Sequence, residues 1–394
     1  SLPMEMPYLR FLDDGTPAAG TFEGWPKTAA ELKVLDPCCG SGHFLVAAFE
    51  ILVRFRMAEE RLGPLTACDA VLANNIHGLE IDERCTQIAA FALALAAWTF
   101  PGAAGHRMLS EMHIACAGIA PRADKNEWVD LAGGDERLRN GMATLFDLFL
   151  DAPTLGSLID PTILGWSGNQ RTLGIPPYAE LRSLLHEKLK SEGAQQGTSL
   201  TELGIAAKGI SKAAELLTEH FSLVVTNVPY LSRKKQGQKL LRYGEQYDEE
   251  AKAELATLFL SRCLRMNHAG GATALVCPQN WLFQTRYRKF RERLLRNESW
   301  CVIARLGTRA FTTPMWDFNV QLSVFERTKP CKTTKFVGVS TEAATDANDK
   351  SDQLRLCAIE MYSQSAQLTN PDSRVILNES PSGQSPDGSA GSRP

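Results

Sequence analysis

Residues 33–44, Lys-Val-Leu-Asp-Pro-Cys-Cys-Gly-Ser-Gly-His-Phe, constrain the fold more than any other stretch of this chain. The apolar run 33–36 reads as a short buried strand, and Gly40 and Gly42 mark a turn. Over 43–61, Phe44, Leu45, Ala48, Ile51, Leu52 and Phe55 then recur at helical spacing. A second unit follows, with a strand at 76–81, an Ala/Leu-rich helix at 83–98 and a third strand near 112–117. The rhythm lapses over 119–220, where helical stretches such as 178–192 and 200–219 alternate with Gly/Pro-rich joins. It resumes with strands at 221–226, 272–277, 300–306 and 319–326 and helices at 250–266 and 285–296. Strands alternating with helices of this length predict βαβ units on a parallel sheet, an α/β fold carrying a helical insertion.

Composition narrows the functional classes. The 394 residues carry 42 Lys+Arg against 45 Asp+Glu, a formal charge of -3, so any surface for nucleic acid has to be a local basic patch. Hydrophobic residues make up 44% and charged residues 22%, which excludes a wholly disordered or collagen-like chain. The ten cysteines lack CxxC or Cys/His spacing and include the vicinal pair Cys38 and Cys39; they read as buried free thiols, with no metal site. No uncharged apolar run reaches the roughly 18 residues of a membrane span, and the N-terminus lacks the order of a signal peptide. The expectation is a cytoplasmic protein with no membrane partner, and the first residue, Ser1, suggests a piece of a longer chain. The expected organisation is an N-terminal extension over 1–30, two halves of one domain at 31–118 and 221–340, the mainly helical insertion 119–220 between them, and a largely disordered tail at 341–394.

The turn after Asp36 lets backbone approach a ligand, and the following helix start offers unpaired N–H groups to an anion. Many α/β joins use small residues for packing alone, so the turn by itself leaves both readings open. Glu80 and Asp82 close the second strand, where an acidic side chain can accept from ribose hydroxyls; a solvated strand end is the equal alternative.

Taken together, DPCCGSGHFL (36–45), GLEID (78–82) and TNVPYL (226–231) resemble the S-adenosylmethionine-dependent amino-methyltransferases. They are most similar to the bacterial N6-adenine DNA methyltransferases, whose motifs read DPACGSGxF and NPPY. The large adenine methyltransferases of phage-defence systems, BREX PglX and the DISARM methylase, share further features: a basic loop after the catalytic motif, KAELATLFLSR at 252–262, a Gly-Gly segment before a strand, and LGTRAF at 306–311. The resemblance spans about Gly24 to Glu326. It implies a Rossmann-like class I methyltransferase fold, a seven-stranded mostly parallel sheet with the last strand antiparallel and helices on both faces. It further implies S-adenosylmethionine as cofactor, with Asp36, Cys38, Gly40 and Gly42 along its methionine part, Glu80 on its ribose, and Pro37, Phe44 and Ile81 completing the binding set. Relatives often place an Asp after the third strand, where this chain has Gly118.

At Asn227-Val228-Pro229-Tyr230 the chemistry follows from the residues. An exocyclic adenine amine is a poor nucleophile because its lone pair is delocalised, so the site must accept from its N–H groups as the nitrogen rehybridises. The Asn227 side-chain oxygen and the Val228 carbonyl supply two acceptors, Pro229 restrains the residue before it, and Tyr230 offers a face to a flipped base. Val228 departs from the family's first proline and keeps the carbonyl. Arg233, Lys234, Lys235 and Lys239, with Arg242, form a basic loop suited to phosphates of double-stranded DNA. A second basic cluster at Arg286, Arg288, Lys289, Arg291, Arg293 and Arg296 reads first as a solvated helix face. Phe311 and Trp316 are candidates for a second stacking surface or for core. The resemblance implies adenine methylation of DNA within a phage-defence or restriction-modification system with other subunits. The alternatives are a methyltransferase acting on RNA or a protein glutamine, and a non-catalytic subunit that keeps the fold.

Overall fold

In a computed structural model, residues 4–164, 182–183, 198–312 and 318–377 are described. β1 (Val34–Asp36) is buried along its whole length. It enters α1 (His43–Glu60) through the glycine turn, and α2 (Pro64–Asn74), β2 (Ile76–Glu80), α3 (Glu83–Thr99) and β3 (His113–Cys116) follow. The helices α4 (Lys125–Asp130), α5 (Glu136–Phe149), α6 (Ala152–Leu155), α7 (Pro161–Leu164) and α8 (Thr198–Thr218) precede β4 (Phe221–Asn227). Then come α9 (Gln238–Tyr247), α10 (Leu255–Met266), β5 (Asn267–Pro278), α11 (Arg288–Asn297), β6 (Ser299–Gly307) and β7 (Val320–Glu326). β8 (Lys335–Ser340), α12 (Ala347–Leu356), β9 (Glu360–Ser363) and α13 (Gln364–Gln367) follow, with a 3-10 turn (Pro371–Ser373) after them.

The described strands join one mixed sheet of an α/β fold in the order β3-β2-β1-β4-β5-β7-β6-β8-β9. β1 pairs in parallel with both β2 and β4, so the chain runs outward through β2 and β3 and then returns to the other side of β1. That reversal opens a crevice at the carboxyl ends of β1 and β4, where ligands sit in open α/β sheets. One core cluster joins β1, α1, α2 and α3 through Val34, Leu45, Phe49, Val71 and Leu93. A larger one lies on the other face, where α5, α8 and α10 pack through Leu145, Ile210 and Leu260.

The expected count of seven strands is corrected to nine among the described residues. β7 runs antiparallel to β5 and β6, and beyond it β8 pairs in parallel with β6 and β9 antiparallel with β8. The expectation of a largely disordered tail is likewise corrected over 341–377, which supplies α12, β9 and α13, whereas 378–394 lie outside the described residues. Two things order this stretch. Phe336 of β8 stacks on Tyr362 of β9, with centroids 5.8 Å apart. The N-terminal segment also crosses α12, where Arg10 donates to the carbonyls of Leu354 and Cys357 and the Tyr8 hydroxyl meets that of Ser351 at 2.7 Å. The expected helix 178–192 falls almost wholly outside the described residues. Among the described residues no helix is long and apolar enough to cross a membrane.

Candidate active site

The glycine turn is set by backbone geometry. Gly42 has φ +90°, a value L side chains rarely adopt, and is the N-cap of α1 with no side chain capping it, so the first N–H groups of this helix face the turn. Gly40, at φ +51°, has open space where a Cβ would stand. Glu80 at the end of β2 organises the turn: one carboxylate oxygen accepts from the Gly40 N–H at 2.8 Å, the other from the N–H groups of Ile81 at 2.8 Å and Asp82 at 3.1 Å. A carboxylate has about four lone-pair sites, so one remains for a further donor. Asp36 is buried beneath the turn, 1% exposed, and accepts from the Cys38 N–H at 3.0 Å. Burial pushes its carboxyl up to about 7, opposed by the nearby Thr226 side chain and by the hydrogen bond from the Cys38 N–H. The Cys38 thiol is driven well above its usual range by burial and stays protonated.

Across the crevice, Asn227 is the last residue of β4 and its side chain is exposed. The Tyr230 hydroxyl donates to its Oδ1 at 2.9 Å. Burial pushes the Tyr230 hydroxyl up in pKa, so it keeps the proton it donates. This bond fixes the amide with its oxygen toward Tyr230 and leaves that oxygen one further lone pair. Val228 points the other way: its side chain is 2% exposed within the larger core, and its N–H donates to the Val276 carbonyl at 3.3 Å, carrying the β4–β5 pairing one residue further.

A cavity of about 310 Å³ connects these elements. It brings together Pro37, Cys38, Glu80 and Ile81 with Asn227 and Pro229. Of the other predicted site residues, Asp36 lies below it, Gly40, Gly42 and Phe44 form the turn and first helical turn beside it, Val228 faces the core, and Tyr230 reaches it through Asn227. Thr154, Leu155, Gly156 and Ser157 from the insertion and Leu255 and Phe259 from α10 complete the lining, and sequence reading missed all six. Gly118 has a packing reason: a Cβ there would stand 2.0 Å from the Ile81 carbonyl oxygen, so no side chain fits. Phe318, also missed, packs on Tyr230 with ring centroids 5.6 Å apart and is 46% exposed. Phe311 instead lines an apolar cavity beneath the N-terminal segment with Leu9 and Val339, and Trp316 lies outside the described residues.

The basic loop is only partly free. Arg233 pairs with Glu245 at 2.5 Å and Lys239 with Asp151, whereas Lys234 and Lys235 are exposed and carry no ion pair among the described residues. Arg291 is corrected from a surface cation to a fully buried staple that donates to the carbonyls of Trp281, Gln284, Asp372 and Ser373. Arg293 likewise pairs with Asp248 at 2.9 Å.

The family profile of the Eco57I restriction-modification methylases matches residues 74–311, and that of the MmeI DNA-methyltransferase domain matches residues 20–112. The chain is 28% identical over 311 residues to the adenine-specific methyltransferase BrxX of Escherichia coli O9:H4 (strain HS), covering 71% of this chain and 24% of that protein. It is 25% identical over 297 residues to the adenine-specific methyltransferase PglX of Lacticaseibacillus casei (strain Zhang), covering 72% of this chain and 22% of that protein. The chain thus spans under a quarter of the length of these curated relatives. A solved structure of a nuclease-deletion mutant of the Type ISP restriction-modification enzyme LlaGI, in complex with a DNA substrate mimic, aligns over 89% of this chain and 24% of that one, at 10% identity and TM-score 0.49.

Proposed function

Because the chain belongs to the Eco57I restriction-modification methylase family, we propose that it transfers a methyl group from S-adenosylmethionine to the N6 amine of adenine in double-stranded DNA. It does so in the cytoplasm, alongside other subunits of a phage-defence or restriction-modification system. The observation that carries this reading is the single cavity joining Glu80 and Pro37 to Asn227 and Pro229 at the point where the sheet order reverses.

The residues present fit the cofactor. Gly40 leaves room where a Cβ would block a ligand, the uncapped start of α1 suits its carboxylate, and Glu80 keeps one lone pair for a ribose hydroxyl. When bound, the cofactor supplies an activated methyl group. The chain's own residues then position the amine. Asn227 Oδ1, oriented by Tyr230, accepts one N–H and the Val228 carbonyl accepts the other, so the nitrogen lone pair is freed from the ring for attack. Tyr230 and Phe318 form an aromatic pair for the flipped base. Lys234 and Lys235 remain free for backbone phosphates. The departures at Val228 and Gly118 each have a packing reason, the core and the Ile81 carbonyl, which favours the catalytic reading over a non-catalytic subunit.

Calorimetry with S-adenosylmethionine, followed by tritiated methyl transfer to DNA, RNA and release-factor substrates, tests the proposal. Transfer to DNA alone is the expected result. Transfer only to RNA or to protein would reassign the substrate, and cofactor binding with no transfer to any of them would favour the non-catalytic reading.

A further inference from the structure

We propose that the turn at Thr154–Ser157, rather than the end of β3, forms the wall against which the purine of the cofactor lies, and that the buried Arg262 is the residue that positions this wall. The inference rests on the cofactor reading above. With Glu80 on the ribose, the surfaces further along the cavity are Ile81 and this turn. β3 contributes nothing there, because Gly118 sits against the Ile81 carbonyl and no side chain fits. Gly156, at φ +51°, takes that place from the opposite side: a Cβ added to it would meet Ile81 Cδ1 at 3.2 Å. Ile81 is 44% exposed at this spot, and Leu155 adds a second apolar surface. Thr154 lines the cavity, and its hydroxyl makes no hydrogen bond among the described residues. Two apolar surfaces with an unused hydroxyl at their edge suit a flat heterocycle that carries edge donors and acceptors.

The turn is held from behind. Arg262, 3% exposed on α10, donates through Nε to the Ser157 carbonyl at 3.2 Å and through Nη2 to the carbonyls of Ile159 at 3.0 Å and Leu217 at 2.7 Å. Its Nη1 pairs with Asp160, 2% exposed, at 3.0 Å. Ser157 then donates through Oγ to the Pro37 carbonyl at 2.6 Å, tying the turn to the strand end that carries Asp36. A buried ion pair of this kind is a poor source of net stability compared with apolar packing, but its fixed fork of donors specifies one backbone arrangement. Here that arrangement is the cavity wall.

The test is calorimetric titration of S-adenosylhomocysteine into the full chain and its variants, each first checked for thermal unfolding. Thr154→Trp fills the wall from a partly exposed position and should weaken binding about tenfold or more, which is about 1.4 kcal/mol. Arg262→Lys keeps the charge and loses the fork, and should raise Kd about fivefold while the stoichiometry stays near one. A merely structural Arg262 would instead lower the fraction of competent protein at unchanged Kd, and that outcome overturns its positioning role. Should Arg262→Lys fail to fold, Asp160→Asn loosens the same clamp and replaces it. Wild-type binding matched within about twofold by Thr154→Trp and by the clamp variant would overturn the inference and leave the cofactor reading standing. No binding by the wild type would overturn the cofactor reading itself, and the inference with it.

Discussion

At the glycine-turn half of the cavity the acceptors are already engaged by backbone: Glu80 takes three N–H groups and Asp36, buried, takes that of Cys38. At the Asn227 half the acceptor is exposed and has one partner, the hydroxyl of Tyr230. The first half is built as a fixed receptor, its shape set before any ligand arrives. The second keeps a lone pair available, which the proposed reading assigns to the incoming amine. On the proposed reading, binding and turnover therefore fall on different residues, and substitutions should separate them.

The largest separation is expected at Asn227. Asn227→Ala should lower methyl transfer about a hundredfold or more and leave cofactor affinity nearly unchanged, since removing one preorganised acceptor typically costs about 2.7–4 kcal/mol of barrier. Paired turnover and calorimetric measurements would show both effects. Equal losses in affinity and rate would dissolve the distinction between the halves.

Glu80→Ala should act in the opposite sense. Cofactor affinity should fall by about 1.5–3 kcal/mol as charge-assisted hydrogen bonds are lost. Because the same carboxylate holds Gly40, Ile81 and Asp82, the unfolding temperature should drop as well. A calorimetric isotherm indistinguishable from wild type would make Glu80 a structural strand end.

Asp36 gives a pH signature of the fixed half. Burial holds its folded value near 7 against an ordinary 3.8, so between those values the folded protein keeps a proton that the unfolded chain releases. Its contribution to stability is complete below the unfolded value and is lost as pH rises through about 7. From about pH 5 to about pH 8, wild-type Tm should fall more steeply than that of Asp36→Asn. Parallel curves would remove burial as the controlling influence on this group.

Val228→Pro is expected to have the smallest effect. It restores the family's usual pair but deletes the N–H that bonds to the Val276 carbonyl, so any gain in restraint is offset by about 0.5–1.5 kcal/mol of stability. Denaturant midpoints and turnover rates of the two proteins would settle the sign. A clear rise in both would mean that this hydrogen bond contributes nothing.

What was legible in the sequence follows the same division. The glycine turn, Glu80 and Asn227 were readable because strand, turn and helix signals are local and each functional group stands at a strand end. The Thr154–Ser157 turn was not, because it lies in a Gly/Pro-rich insertion and is held at the cavity by partners distant in sequence, Pro37 and Arg262, the latter 105 residues from Ser157. Arg291 misled for a related reason: its charge suggests solvent, and only the tertiary fold shows the carbonyls that take its protons. β8 and β9 escaped notice because their order depends on the Phe336–Tyr362 stack and on the distant N-terminal segment packed over α12. Phe318 follows a stretch with no regular spacing, and nothing local connects it to Tyr230.

The most direct test of the central claim is mass spectrometry of nucleosides from DNA incubated with the wild-type chain or with Asn227→Ala and a cofactor whose methyl group carries deuterium. The account predicts deuterated N6-methyldeoxyadenosine with wild type and about a hundredth as much with Asn227→Ala. Label on cytosine, or equal label on adenine from both proteins, would contradict it.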